Sequence, residues 1–302
     1  MDRIWGYWAA LTVALLFGVW FTLDKILLGN LHPFALATLT YLIASVTLLA
    51  ISFSSLHPKV LRILHGSTKV EKSITRKEYA ILFLTAIFGA VIAPGLSLYG
   101  LKQITAVNAA LLSNTEMFFI IIIGIIFLKE SVKRYDFLAF LFIILGTISL
   151  STNNFQDLNL NPNLYGNLFV IGAAFFWSLD TSLSKFLSKK RDIVFITGIK
   201  CAIGGVILLL ISLYLGLNFT LPLNQLPLLL MVSIGCLSLS LVLIYFAIRE
   251  IGSTRTGSIY ALSSLFGALI AFLILKESFS LYQIFFGILM LLGVFILYKN
   301  QG

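Results

Sequence analysis

The stretch that decides the fold is FFIIIIGIIFLKES at residues 118–131, because its ending returns as ALIAFLILKES at residues 268–278. The two Lys-Glu-Ser tripeptides, at residues 129–131 and 276–278, are 147 positions apart, and each closes a long apolar run. A Tyr follows each copy at the same distance (Tyr135, Tyr282), and then a Gly (Gly146, Gly293). The recurrence indicates that the chain contains two related halves.

The composition places these halves in a membrane. The 302 residues are 59% hydrophobic and only 11% charged, whereas soluble domains carry roughly 25% charged residues. A chain this apolar has too few polar residues to cover a surface in water, so the expected solvent is the lipid bilayer.

Apolar segments of about 18–25 residues recur along the chain, and this length crosses the hydrocarbon core as a helix. A transmembrane β-barrel would instead show alternating segments of about 10 residues. The sequence therefore predicts an all-α membrane protein with ten spans: 5–28, 33–55, 78–100, 104–128, 135–152, 166–187, 192–217, 226–249, 254–276 and 281–298.

The basic residues predict the orientation of these spans. If the amino terminus is cytoplasmic, seventeen of the 21 Lys and Arg residues face the cytoplasm and three face outside. The remaining one, Lys200, lies within a span. This asymmetry follows the positive-inside rule and predicts that both termini are cytoplasmic. It also accounts for the net charge of +9 without a nucleic-acid partner.

The two halves are predicted to have opposite orientations. Spans four and nine carry the repeated ending, and because they are five spans apart, an odd number, they must leave the membrane on opposite sides. A shift of 160 residues pairs Gly6 with Gly166 and Lys25 with Lys185 in the first and sixth spans. We expect a first five-helix repeat at 1–152, an external linker at 153–165 and an inverted repeat at 166–302, around a central cavity. Inverted repeats are typical of secondary transporters, which work by alternating access.

Three segments resemble a known family. The spans three and four contain GLKQITAVNAALLSNTEMFFIIIIGIIFLKES, and their second copy contains IYFAIREIGSTRTGSIYALSSLFGALIAFLILKES; the chain closes with FGILMLLGVFILY. In order and spacing these resemble the drug/metabolite transporter superfamily, EamA type. The resemblance implies ten helices and a substrate that is a small polar metabolite, often an amino acid, commonly exported.

The chain departs from that family's pattern at two places. The family often has Glu-Pro midway along spans four and nine, where this chain has Glu116-Met117 and Ser263-Ser264. The family often has Arg early in spans two and seven, where this chain has Thr40 and Lys200. The acid is thus kept in one half only.

Ionisable residues within spans are expensive to insert, so they should face a cavity or a partner. Glu116 lies about twelve residues from either end of span four. It is either a cavity group that binds a cation or carries a proton, or a protonated acid bonded to a neighbouring hydroxyl. Asp180 and Lys200 lie at matching depths in spans six and seven, which predicts an ion pair, either structural or part of a charge site. Asp24 is a candidate for the outer mouth, and Lys25 is expected to extend to the interface.

Polar side chains share faces in three spans. Trp177 and Asp180 fall on one face of span six, Tyr260 and Ser263 on one face of span nine, and Trp20 precedes Asp24 by one turn. These faces either pack helices together through small hydroxyls or line a substrate cavity. Aromatic rings beside polar groups suit a substrate with an amine or carboxylate and an apolar body.

Pro94 and Gly95 predict a bend or hinge in span three, because Pro frees a backbone carbonyl. Cys201 and Cys236 fall inside spans and are expected to pack there, since no metal or disulfide spacing is present. The motifs of zinc proteases, serine hydrolases and phosphate loops are missing from the sequence, and the three histidines are predicted to lie in loops. We therefore expect that the protein is not an enzyme and that it has neither a cofactor nor a metal site.

The sequence favours a secondary transporter for a small polar metabolite, an amino acid or a related compound, in the cytoplasmic membrane of a prokaryote. Its partners would be the small-molecule substrate and the lipid bilayer, with a proton or a counter-substrate as the coupling species. A lipid or drug translocator of the same fold, a non-transporting membrane partner and a receptor subunit are the alternatives. The sequence does not choose between a monomer and a homodimer.

Overall fold

The computed structural model is helical, and none of the residues that it describes lies in a β-strand. These residues are 3–65, 75–128, 134–152, 162–187, 192–251, 256, 259–277 and 280–301. The α-helices are α1 (Arg3–Leu27), α2 (Pro33–Phe53), α3 (His57–His65), α4 (Arg76–Ile87), α5 (Ala93–Gln103), α6 (Ala106–Leu112), α7 (Thr115–Leu128), α8 (Arg134–Thr152), α9 (Pro162–Leu187), α10 (Ile193–Tyr214), α11 (Leu226–Leu230), α12 (Ser240–Ile251), α13 (Ser263–Leu275) and α14 (Leu281–Gln301). A π-helical segment, Phe88–Ile92, joins α4 to α5, and a second, Met231–Leu239, joins α11 to α12.

Each of the ten predicted spans overlaps one or more of these helices. Within the described residues, five continuous helices are long and apolar enough to cross a membrane: Ile4–Leu27, Pro33–Phe53, Arg76–Gln103, Ile193–Tyr214 and Leu223–Ile244. Shorter apolar helices occupy Phe137–Gly146, Ser263–Leu275 and Leu281–Gly293. The protein is an all-helical, multi-pass membrane protein, and the exact number of ten crossings stays a prediction.

Two predicted spans are interrupted. The span predicted at 104–128 consists of α6 and α7, separated by a turn at Ser113 and Asn114, and the span predicted at 254–276 has a turn at Ala261 and Leu262 before α13. Under the shift of 147 residues Asn114 matches Ala261, so the breaks are equivalent. The first break coincides with four consecutive polar residues, at 113–116, within a segment whose length suits one span.

Equivalent helices of the two halves make equivalent contacts. Helix α1 packs against α12 and α13, and the equivalent helix α9 packs against α5 and α7. Helix α2 packs against α10, and α8 against α14, so these equivalent helices pair with each other. This arrangement is the two-repeat architecture that the duplicated tripeptide predicts.

Two glycines make close contacts of this kind at equivalent positions. A Cβ added to Gly6 would lie 2.6 Å from the Cβ of Glu250, and one added to Gly166 would lie 2.9 Å from the Cβ of Gln103, which is the residue equivalent to Glu250. The missing side chains let the starts of α1 and α9 approach the ends of α12 and α5. Gly6 and Gly166, which the sequence pairs, thus have the same packing role in the two halves.

Pro94 lies in the first turn of α5, directly after the π-helical segment Phe88–Ile92. Because Pro94 has no N–H, it cannot donate to the carbonyl four residues earlier, and the irregular ladder lies in that preceding turn. Gly95 lies against the Phe34 ring, whose Cε1 would be 3.0 Å from an added Cβ. Their role as a hinge stays a prediction.

One further detail differs from the sequence expectations. His57 and His65 begin and end helix α3, whereas only His32 lies outside the helices, as the N-cap of α2. Lys25 Nζ binds backbone carbonyls at the end of α5, and its predicted extension to the outer interface stays a prediction. Both cysteines are free and buried.

Candidate functional site

An ion pair between Asp180 and Lys200 lies at the centre of the site, and it joins α9 to α10. The side chain of Lys200 is 15% exposed and that of Asp180 is 11% exposed, so the pair is largely shielded from solvent. The second carboxylate oxygen of Asp180 accepts a hydrogen bond of 3.1 Å from Ser184 Oγ, one turn further along α9. The predicted pairing of these two charges is therefore present, with a hydroxyl that completes the partners of the carboxylate.

The Asp180 carboxylate lies directly against the backbone of Gly89. A Cβ on Gly89 would overlap the Asp180 carboxylate, so no larger residue fits without displacing it. The Gly89 carbonyl accepts hydrogen bonds from Tyr41 Oη at 2.9 Å and from Trp177 Nε1 at 3.3 Å. Gly89 belongs to the π-helical segment Phe88–Ile92, where the widened turn leaves a carbonyl available to side chains.

Glu116 lies next to this pair. It occupies the first turn of α7, directly after the break in the span, where the partial positive charge of a helix N-terminus favours an acid. Thr181 Oγ1 donates to Glu116 Oε1 at 3.3 Å. Thr181 follows Asp180 in α9, so Glu116 contacts the residue next to one member of the ion pair. The side chain of Thr181 is exposed.

Aromatic rings from both halves form a wall beside these groups. Trp20 of α1 faces Trp177 of α9, with ring centroids 6.3 Å apart. Phe17 connects this pair to the ninth predicted span, since its centroid lies 5.2 Å from that of Trp20 and 5.3 Å from that of Tyr260. Trp20, Trp177 and Tyr260, predicted separately from three spans, thus belong to one cluster.

The two helix breaks are joined by a hydrogen bond. Asn114 Nδ2, in the turn before Glu116, donates to Ser264 Oγ at 2.7 Å. The neighbouring Ser263 is buried, and its carbonyl oxygen would lie 3.0 Å from a Cβ on Gly18 of α1. Ser263 therefore contributes to the packing of α13 on α1, and its predicted binding role stays a prediction.

Asp24 is buried one turn beyond Trp20, and its Oδ1 has no hydrogen-bond partner. It takes part in neither the Asp180–Lys200 nor the His57–Asp192 ion pair. Its predicted place at an outer mouth stays a prediction.

His32 lies outside the predicted spans, at the N-cap of α2. Its Nδ1 accepts from the Phe34 N–H, which caps α2, and its Nε2 lies 3.0 Å from Tyr99 Oη. Burial lowers the pKa of His32, and the nearby charge of Lys102 lowers it further. The neutral tautomer with the proton on Nε2 fits both contacts.

The sequence did not single out Tyr41, Gly89 or Asn114. Tyr41 is a buried hydroxyl of α2, and its residue type is a weak signal because Thr38, Thr40 and Ser45 also place hydroxyls in that helix. Gly89 gives no such signal, because its importance depends on a π-helical turn and on the approach of a distant helix.

The arrangement brings together charges of both signs, one additional acid and flat apolar surfaces. Such a set of groups can bind a small molecule with an ammonium group, a carboxylate and an apolar part. The described residues show no group of three or more side chains suited to hold a metal ion.

Comparison with known proteins gives a consistent result over the whole chain. The model of the EamA-like transporter family matches residues 4–152 and again residues 164–299. An uncharacterized transporter of Methanothermobacter thermautotrophicus is 48% identical over 301 residues, which are 99% of this chain and 88% of the relative. One of Archaeoglobus fulgidus is 28% identical over 298 residues, or 96% of this chain and 97% of the relative.

A crystal structure of another protein shares the fold. The two superpose with a TM-score of 0.69 over 98% of this chain and 97% of the other, at 15% sequence identity. At that identity the similarity concerns the fold alone.

Proposed function

Because this chain belongs to the EamA-like transporter family, we propose that it is a secondary transporter that exports a small polar metabolite by alternating access. The substrate is an amino acid or a related compound with charges of both signs. The protein lies in the cytoplasmic membrane of a prokaryote with both termini inside, and a proton or a counter-substrate drives the export.

The observation that carries this proposal is the Asp180–Lys200 ion pair beside Glu116 and the tryptophan pair. A zwitterion supplies each charge with a replacement partner: its carboxylate can bind Lys200, and its ammonium can bind Asp180 or Glu116. Its apolar part fits against Trp20 and Trp177, where a cation also gains from the ring faces. A neutral molecule offers no such replacement.

The pair also explains why an empty site would stay closed. Separating two buried charges without a substitute leaves both unpaired, which is strongly unfavourable. A substrate that pairs with both lowers this barrier, and it changes the equilibrium between two conformations only through its different affinity for each of them. Exchange of the ion pair for substrate contacts thus supplies a chemical basis for alternating access.

The test is a thermal-stability screen of the purified protein against amino acids, nucleosides and amines. A ligand at 100 times its Kd stabilises the folded state by about 2.7 kcal/mol, which raises the melting temperature. We expect a zwitterionic amino acid to stabilise the wild type and to have no effect on Asp180→Asn.

Asp192→Asn is the matched control. It makes the same chemical change in an ion pair with His57 outside the site, so it should keep the response to the ligand. If no zwitterion stabilises the wild type while amines or nucleosides do, the substrate class is wrong. If Asp180→Asn responds like the wild type, the ligand binds elsewhere.

A further inference from the structure

The turn between α5 and α6 is held from both sides by opposite charges. Lys25 Nζ, near the end of α1, donates to the carbonyls of Leu101 at 2.6 Å and of Ile104 at 2.5 Å. Glu277, just after α13, accepts from the N–H groups of Ala106 and Val107, each at 3.0 Å. One basic and one acidic side chain thus grip the same turn.

The signs of these charges match the backbone that they touch. The last carbonyls of a helix carry partial negative charge and the first N–H groups carry partial positive charge. Lys25 binds the end of α5, and Glu277 binds the start of α6. Hydrogen bonds with one charged partner are roughly twice as strong as neutral ones, so this turn is firmly anchored.

Helix α6, which this turn begins, is buried over its whole length. Its Asn108 donates from Nδ2 to Asn167 Oδ1 at 3.2 Å and accepts from Gln283 Nε2 at 3.4 Å. Beyond α6 come the two residues Ser113 and Asn114, and then α7 with Glu116 in its first turn. The short helix therefore lies between the anchored turn and the site.

We propose that Lys25 and Glu277 form a clasp that keeps α6 seated as a plug at this end of the protein. Release of the clasp unseats α6, opens a path to the site from this end and moves Glu116, which is connected to α6 by only two residues. By the predicted topology this is the outer end. The proposal rests on the proposed transport function for its purpose, but its test needs no substrate.

The test measures how fast a thiol below the plug reacts from outside. A cysteine at position 113 is the reporter, in intact cells treated with a membrane-impermeant methanethiosulfonate reagent. The buried native cysteines give the background rate in the chain without the reporter. We expect Glu277→Gln and Lys25→Met each to raise the labelling rate at least about tenfold, the factor associated with one lost hydrogen bond to a charged group.

Glu78→Gln is the matched control. Glu78 accepts hydrogen bonds from the N–H and hydroxyl of Thr75 at the start of α4, so it has the same capping role without a clasp. Its variant should label at the original rate. Glu277→Asp keeps the charge with a shorter side chain and should give an intermediate rate, even if Glu277→Gln does not fold.

Unchanged labelling in folded Glu277→Asp and Lys25→Met overturns the clasp, as does equal acceleration in Glu78→Gln. Faster labelling in a protein that binds and moves no substrate leaves the clasp standing and rejects the proposed function. Zwitterion binding together with unchanged labelling does the reverse.

Discussion

The first and sixth helices occupy equivalent places in the two halves, yet they bring different chemistry to the same site. The shift of 160 residues places Phe17 and Trp20 of α1 opposite Trp177 and Asp180 of α9. In the structure these faces meet, with Trp20 against Trp177. The carboxylate of one helix therefore has a large ring as its counterpart in the other.

The contrast separates what the repeat preserves from what it does not. Gly6 and Gly166 make equivalent contacts in the two halves, so the packing positions follow the symmetry. The charges do not, because Lys200 of α10 has Thr40 as its counterpart in α2. A site made in this way takes both members of its ion pair from the second half, so a substrate with distinct ends would bind in one orientation.

The largest expected effect is an all-or-none difference between the two copies of the repeated tripeptide. A cysteine at position 277 should react with an impermeant reagent added to intact cells, and a cysteine at position 130 should react only after the cells are opened. Position 130 lies outside the described residues, so its side is a sequence prediction. Labelling of both from one side would remove the inverted relation on which the comparison depends.

Substitution of Glu116, the acid that only the first half keeps, should give the next largest effect. Glu116→Gln should abolish or uncouple transport and leave the melting temperature nearly unchanged, because the amide still accepts a hydrogen bond from Thr181. Flux would be measured in proteoliposomes at several pH values, with Glu78→Gln as the control. Wild-type flux with an unchanged pH dependence would make Glu116 a structural residue.

Breaking the ion pair should reduce stability by a measurable amount. Removing one partner of a fully buried pair costs roughly 3–5 kcal/mol, and the slight exposure of Asp180 and Lys200 reduces this figure. Asp180→Asn, Lys200→Met and the double variant would be compared by unfolding in detergent and by flux, and the double variant should lose less than the two single variants together. Restored stability with no flux places the pair in the transport path, whereas restored flux makes it structural.

Equivalent glycines should respond equally to the same substitution. In Gly6→Ala and Gly166→Ala the new methyl groups approach a neighbouring side chain to 2.6 Å. Overpacking costs about 1–3 kcal/mol, and the better helix propensity of Ala returns up to about 1 kcal/mol.

Gly172→Ala is the control for this pair. Its nearest neighbour would be Leu96 Cδ1 at 3.5 Å, an ordinary contact, so this variant should gain stability. Melting temperatures of the three proteins in the same detergent measure the effect. A large difference between Gly6→Ala and Gly166→Ala would show that the halves do not pack alike.

The smallest effect concerns the contact between equivalent helices α2 and α10. Thr38 Oγ1 and Ser212 Oγ lie 3.1 Å apart, and interhelical hydrogen bonds in membranes contribute about 0.6 kcal/mol on average. A double-mutant cycle with Thr38→Val and Ser212→Ala should give a coupling energy of this size. A coupling near zero would mean that apolar packing alone holds these helices together.

Much of the fold followed from the sequence because it depends on patterns along the chain. Long apolar runs predict membrane helices, and the recurrence of Lys-Glu-Ser predicts two halves. The breaks at Ser113 and Ala261 did not follow, because neither carries Pro or Gly and each lies inside a segment whose length suits one continuous span. Their positions depend on tertiary contacts such as the bond from Asn114 to Ser264.

The sequence predicted those residues of the candidate site whose charge makes them costly to place in lipid. Glu116, Asp180 and Lys200 stand out as charges within apolar segments, and matching depth was enough to pair the last two. Gly89 and Tyr41 contribute through a carbonyl that a π-helical turn leaves available, and no periodicity along the chain reports such a turn.

The pairing of α1 with α12 and α13 has a consequence for biosynthesis. These partners, together with the π-helical segment Met231–Leu239, follow the end of α1 by about 200 residues. At the usual rate of translation, roughly 5–20 residues per second, α1 waits about 10–40 s for them to leave the ribosome. During that interval Asp24 is not yet enclosed by its final neighbours, so the chain inserts a span that carries a carboxyl group before the helices that will cover it have been made.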